Sequence, residues 1–444
     1  MSMSTNNRMS RRQFAKGTVA TAALAATGVL TRLPKVHAAD PIELVHWSWL
    51  SASDAEVWTQ MIQNFNDAHK DKGVQIKMET VPDDQYETKV LAAAASGQAP
   101  DFGWGTAGLH AQWAQDGVIV PLDDLSKQVG LDLADFSEFS INSSRYPKYD
   151  NKLFMIPMDL MTIQPEVNLD HVKEAGLDPD KFPTDGDTLI EWAKVMTKRE
   201  GDKVTRSGIM MTGSAVQPTI TWSIVAAQMG FKRVSDDYKT AAVNPEAGKQ
   251  AMQWVLDLFD KWKVSTRDVT NRYKAFGTGQ GSIFWTGPWT LNGYVQQKLN
   301  FRSYAFPKIG STLLTYLEEG GMELYVQKDT GRYEASMAAV KWLSDNSLLW
   351  TTKGRGASPR TSIQNNPEYK TAGLPWDIRG AFVEGVSYAT LNQGVPVLAA
   401  QDFAPYAGDN FLAKTLDQVW NNKSSIDDAM KSIQTKWQSD LDEG

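Results

Sequence analysis

Five histidines, no cysteine and a few adjacent carboxylates make up the reactive inventory of this 444-residue chain. Without cysteine there is no disulfide scaffold, thiolate nucleophile, thiolate zinc site or iron–sulfur centre. His37, His46, His69, His110 and His171 are scattered and form no H-x-x-x-H pair, so no metal site is expected. No G-x-S-x-G elbow occurs. Gly277-Thr278-Gly279-Gln280-Gly281 follows helical sequence and precedes a strand, the reverse of a phosphate cradle at a helix start, and reads as a turn. Asp83-Asp84 opens a helix, where it serves as cap and dipole partner. Glu318-Glu319, just before Gly320-Gly321, reads as a loop that can face a cleft. A glycosidase needs two carboxylates held at a defined separation, and nothing in the spacing supplies them. No catalytic residue and no cofactor is assigned.

Tryptophan is the unusual residue: there are 16, as many as Phe and more than the 13 Tyr. Their positions matter more than their number. Strand-like and helix-like periods alternate along the chain: a strand at Ile42–Leu50, a helix opened by a Ser53–Glu56 capping box, a strand at Val74–Met78, a helix over about 83–96, and a strand at Asp101–Gly105. The pattern resumes with a buried helix at Thr219–Met229, an amphipathic helix at Glu246–Trp262 and strands at Ile283–Thr286 and Met322–Val326. Such alternation predicts α/β architecture with mostly parallel sheets, and the length predicts two lobes. On that frame Trp47 and Trp49 end the first strand, Trp104 ends the third, Trp222 starts a second-lobe helix, and Trp285 and Trp289 bracket Gly287-Pro288. Ligands of open α/β sheets bind beyond the carboxyl ends of strands. A flat indole there suits the C–H face of a sugar ring. Trp58, Trp192, Trp254, Trp262 and Trp342 fall inside helices and are expected in the core.

The first 38 residues read as an address. Ser10-Arg11-Arg12-Gln13-Phe14-Ala15-Lys16 precedes an Ala-rich run from Gly17 to Leu33, and Val36-His37-Ala38 places small residues for cleavage after Ala38. The pattern resembles a twin-arginine export signal. Its removal takes away six basic residues and no acidic one, which turns a formal charge of -7 into -13. A chain that acidic is not expected to bind nucleic acid. No later run is long and apolar enough to span a bilayer, so a soluble protein delivered to the periplasm is expected.

Several short segments in order resemble the family 1 extracellular solute-binding proteins of ABC importers, the maltose-binding-protein class. They are Gln98-Ala99-Pro100-Asp101, Trp113-Ala114-Gln115-Asp116-Gly117 with Pro121-Leu122, Tyr149-Asp150-Asn151-Lys152-Leu153 with Ile156-Pro157, and Phe284 to Trp289 with its Gly287-Pro288-Trp289 turn. The resemblance covers essentially residues 40–444. It implies a two-lobe periplasmic-binding fold (type II) with hinge crossovers near Lys152–Met161, Pro307–Gly320 and Gly354–Thr361. The implied boundaries are 39–155 and 309–357 for the first lobe, and 156–308 and 358–444 for the second. It also implies capture of a carbohydrate or polyol, delivery to permease subunits, no enzymatic activity and a monomeric state. Carried over by position, the ligand contacts are Trp222 foremost, Asp159 as a hydroxyl acceptor, and Trp47, Trp49 and Ser51 after the first strand. Trp104, Trp285, Trp289, Gly320, Gly321, Arg355, Arg360, Trp376 and Arg379 complete the set. Two positions depart from the family pattern: Gly108 stands where an acidic sugar contact is usual, and Val167 replaces the aromatic before Asn168. The alternatives are a secreted carbohydrate-active enzyme and a ligand-sensing partner of a chemoreceptor or sensor kinase.

Overall fold

The computed structural model describes residues 42–107, 110–146, 149–237, 239–353, 355–391 and 411–443. The export signal expected over residues 1–38 lies outside them, as do Gly108 and Gly354.

The first lobe begins with three strands, β1 (Ile42–Ser48), β2 (Val74–Thr80) and β3 (Phe102–Thr106), with β1 parallel to both neighbours. The helix Ala52–His69 joins β1 to β2 and buries Trp58, Met61, Ile62 and Phe65, the i, i+3, i+4, i+7 stripe of an amphipathic helix. Its N-cap is Ser51, two residues before the expected Ser53. The helix Asp83–Ser96 joins β2 to β3 and stops at Gly97, whose φ of 67° a side chain would resist.

A short hairpin, β4 (Arg145–Tyr146) with β5 (Lys152–Leu153), leads into the strand that leaves this lobe. That strand is β6 (Ile156–Thr162), and after Ile163 alone the chain becomes β7 (Gln164–Asn168) of a different sheet. The second lobe adds β8 (Lys198–Glu200) and β9 (Lys203–Ile209), then a hairpin of β10 (Lys232–Val234) and β11 (Ala241–Val243). It continues with β12 (Gly281–Thr286) and β13 (Phe301–Ser303). Its sheet runs β13-β7-β12-β9-β8. The long β14 (Thr315–Leu324) then returns to the first sheet, pairing antiparallel with both β3 and β6, and β15 (Ala389–Leu391) pairs beside it. At the passage Thr315 Oγ1 donates to the Ile163 carbonyl at 2.5 Å and Ile163 N donates to the Tyr316 carbonyl at 2.9 Å. A third passage follows Gly356: Ala357 and Leu160 exchange backbone hydrogen bonds of 2.9 Å in both directions. The closing helices Phe411–Trp420 and Ile426–Glu443 pack on Val216–Gln228 and Pro245–Asp260 of the second lobe.

Three expectations are corrected here. The sheets are mixed rather than mostly parallel, because strands arriving from the other lobe enter in the opposite sense. The expected boundary at 155/156 falls inside the first lobe, since β6 pairs with β14 before the chain leaves at Ile163. Glu318 to Gly321 is the middle of β14, not a loop; the register shift at Gly320/Gly321 absorbs the two glycines.

Gly321 is required by that close pairing. A Cβ there would lie 2.3 Å from the Ile156 carbonyl oxygen, which backbone alone cannot relieve. Gly321→Ala is expected to destabilise the protein by about 2 kcal/mol, the scale of overpacking a tight interior. A lowered urea midpoint with unchanged m-value checks this.

Candidate functional site

The carboxyl ends of the strands in the two lobes point at one another. In the first lobe, β1 leads through Trp49 and Ser51 into the helix Ala52–His69. In the second, β9 leads to Thr212–Ser214, and β12 to Gly287-Pro288-Trp289 and then the helix Leu291–Gln296. These two helices touch: Gln296 Nε2 donates to Glu56 Oε2 at 3.1 Å, and a Cβ on Gly293 would sit 3.8 Å from Ser53 Oγ. The space beside this contact is the cleft.

The first wall is organised by Arg355, which is buried. Its Nη1 lies 3.0 Å from Asp54 Oδ2 and its Nε 3.4 Å from Asp159 Oδ2. Asp159 also accepts from Trp350 Nε1 at 2.9 Å and from the Gly320 amide at 3.1 Å. The guanidinium lies over the Trp350 ring, 5.1 Å from its centroid. Trp350, Trp104 and Trp58 pack mutually with centroids 5.0 to 5.4 Å apart. Trp58 is itself fixed by donating to His46 Nε2 at 2.8 Å. Burial holds that histidine down at about 3, so it stays a neutral acceptor. Two carboxylates thus share one cation away from water. Burial pushes Asp54 up to about 6 despite Arg355, and burial also raises Asp159. Next along β14, Glu319 is bonded to Ser143 and pushed by burial up to about 8.

The second wall is more open. Trp289, half-buried, donates from Nε1 to Tyr273 Oη at 3.2 Å. Its turn is braced from below: Thr290 Oγ1 lies 3.0 Å from the Gly287 carbonyl and 2.5 Å from Glu166 Oε1. Glu166 is wholly buried on β7, and burial drives its pKa well up. A pocket of about 310 Å³ opens beside Tyr273, between the segments 212–216 and 270–273.

The structure sorts the expected contacts. Asp159 and Arg355 meet, with Gly320 donating its amide to Asp159 and Gly321 allowing β6 to close on β14. Trp49 is half-buried edge-on to Tyr86, Trp47 donates to Glu79 Oε2 at 3.1 Å, and Ser51 is exposed. Trp289 reaches the second wall. Trp222 does not: it is 1 % exposed in the second-lobe core, packed on Phe231 with Nε1 donating to the Gly248 carbonyl at 2.9 Å. Its helix starts at Val216 rather than Thr219, which carries Trp222 past the first turn and inward. Trp285 and Trp104 are also core residues, each 1 % exposed, because inward positions of strands carry them. Arg360 is tied to Asp135 and Asp345 at 2.7 and 2.6 Å and braces the first lobe. Arg379, 1 % exposed, is held by the Leu374 and Tyr369 carbonyls between the rings of Trp376 and Tyr369. Trp376 is half-buried against it. Buried in this way, Trp104, Trp222, Trp285 and Arg379 offer no face to a ligand. The residues missed were Asp54, Trp350 and Tyr273. Asp54 lies inside the Ser53–Glu56 capping box, and the helix-start signal says nothing of a buried ion pair.

These pKa displacements fix a pH dependence. Asp54 and Glu319 bind protons more tightly folded than unfolded, so their contribution is present at low pH and is lost as pH rises through about 6 and about 8 respectively. His46 and His171, held down by burial to about 3 and about 4, act in the opposite sense below about pH 6.5. In thermal melts the two carboxylates therefore show as differences from wild type: Asp54→Asn is expected to remove a fall that ends near pH 6, and Glu319→Gln one that ends near pH 8. Parallel curves for wild type and both variants would contradict the assignment.

Residues 60–375 match the family model described as bacterial extracellular solute-binding protein. A protein of Sinorhizobium fredii, named as an amino-acid ABC transporter periplasmic-binding protein, is 26 % identical over 238 residues. That match covers 50 % of this chain and about half of the relative (51 %). Among solved structures, the fold resembles UgpB of Mycobacterium tuberculosis in complex with glycerophosphocholine (TM-score 0.77, 16 % identity, 90 % and 98 % of the two chains). It also resembles an ABC substrate-binding protein of Listeria monocytogenes in complex with cycloalternan (TM-score 0.75, 18 % identity, 89 % and 98 %). A maltose/maltodextrin-binding domain of Bdellovibrio bacteriovorus bound to maltotriose gives a TM-score of 0.72 at 18 % identity, over 90 % and 100 %. With the two-lobe α/β fold and a cleft between facing strand ends, the family match identifies this chain as a member of the bacterial extracellular solute-binding proteins.

Proposed function

We propose that this protein captures a carbohydrate or polyol between its lobes and delivers it to the permease subunits of an ABC importer. The observation that carries the reading is the buried Asp54–Arg355–Asp159 triad at the lobe contact. One guanidinium serves two carboxylates, so the wall holds surplus acceptor capacity, which hydroxyl groups of a polyhydroxylated solute satisfy as donors. Trp289 on the opposite wall supplies an apolar ring face, and the sugar complexes among the similar folds support the same choice. Passages at Ile163, Thr315 and Ala357 serve as the hinge, and ligand contacts to both walls favour the closed form. In this reading the protein is an exported periplasmic monomer that binds without catalysing.

The amino-acid transporter name of the S. fredii relative motivates a second reading. That relative matches only half of this chain at 26 % identity, whereas the similar folds in complex with cycloalternan and maltotriose cover about nine-tenths of it, so the carbohydrate reading is preferred.

A thermal-shift screen of the mature protein against sugars, polyols and amino acids tests this. Sugars or polyols are expected to raise Tm and to be recovered unaltered. Trp289→Ala is expected to weaken the best of them about tenfold in calorimetry, the loss of one stacked ring. Stabilisation by amino acids alone, or conversion of the sugar, contradicts the reading.

A further inference from the structure

The arginines of the two walls are in opposite electrostatic states. Arg355 is enclosed by Asp54 and Asp159, so the first wall repels an anion. Arg272, on the second lobe, has no ion-pair partner among the described residues. Its Nη2 donates to Tyr273 Oη at 2.8 Å and its guanidinium stacks over that ring, 4.8 Å from the centroid. This leaves Nε and Nη1 as donors on a held, oriented plane. Arg272 and Tyr273 line the pocket of about 310 Å³, and the same lining carries Thr212, Ser214, Thr270 and Asn271. The Asn271 carbonyl is committed to the Lys274 amide at 2.9 Å, so its NH₂ group remains as a donor. No carboxylate is among the described residues that line the pocket. Tyr273 also accepts from Trp289, which places the pocket next to the proposed ring-stacking face.

We propose that this pocket is a subsite for an anionic substituent, a carboxylate or a phosphate, on the captured solute, with Arg272 as the charge that selects it. The inference rests on the carbohydrate reading above and narrows it. A planar guanidinium beside hydroxyl and amide donors matches the oxygens of either anion, and charge-assisted bonds of this kind are about twice as strong as neutral ones. An anion seated there is separated from the acidic first wall by the sugar ring itself. The arrangement thus sets an orientation: anionic end to the second lobe, hydroxyls to the triad.

Calorimetry on the mature protein with glucose, glucuronate, glucose 6-phosphate, glycerol and glycerol 3-phosphate tests the subsite. An anionic member is expected to bind at least about tenfold more tightly than its neutral counterpart. That ratio should fall as salt rises. In Arg272→Gln it is expected to drop to near one, with Arg272→Lys retaining part of it; which anion gains identifies carboxylate or phosphate. Neutral solutes binding as tightly as anionic ones, or a ratio that survives in Arg272→Gln, overturns the subsite and leaves the carbohydrate reading standing. Binding of none of the five overturns both.

Discussion

Arg355 sits where three parts of the chain converge, and the rest of the cleft depends on its neutralisation. Asp54 comes from the start of the first long helix, Asp159 from the strand that leaves the first lobe, and Arg355 from the segment before the third passage. A single guanidinium removed from water is tolerable only with acidic partners, and removing either would leave an uncompensated charge. The arrangement therefore fixes the helix start relative to the passages between lobes. It also leaves one carboxylate more than the cation can neutralise, and burial raises the pKa of both Asp54 and Asp159 against the pull of Arg355.

The geometry that brings those groups together is a matter of strand exchange. β6 and β14 pair closely because Gly320 and Gly321 lack side chains, and the amide of Gly320 thereby becomes a donor to Asp159. Immediately beyond, Ile163 and Thr315 tie the two passages to each other. In the proposed closure the lobes turn about these bonds, with the triad just on the first-lobe side of them. On the other side, Glu166 and Thr290 brace the turn that holds Trp289. Each wall is thus anchored from beneath by a buried acid, one paired with a cation and one bonded to a hydroxyl.

Much of this was legible in the residues. Alternating periods predict the α/β architecture and the length predicts two lobes, while Gly287-Pro288-Trp289 stands out as a turn at the end of a second-lobe strand. Asp159 and Arg355 both stand in the expected set, but nothing in the sequence pairs them; the approach of the guanidinium to the carboxylate at 3.4 Å does. The tryptophans were harder. A strand-end or helix-start position implies a cleft only if the element ends where expected. For Trp222 a three-residue error in the helix start turned a core side chain into an apparent ligand contact. Trp104 and Trp285 failed for another reason: in a strand buried on both faces, period-two alternation does not say which positions look outward. Arg360 and Arg379 could not be separated from Arg355 by sequence, since the carboxylates and carbonyls that hold them are far away along the chain.

The acidity of the mature sequence and the acidity of the first wall are different quantities. The first is a surface property; the second is a local surplus of acceptors around one cation. The most direct measurement of the claim that Arg355 binds the two aspartates into one unit is a double-mutant cycle by urea unfolding, with Asp54→Asn, Arg355→Met and the combined variant. The account predicts a coupling energy above about 1 kcal/mol, with the double variant destabilised less than the sum of the singles. Additive effects within about 0.3 kcal/mol would show that Asp54 and Arg355 do not act together, and would contradict it.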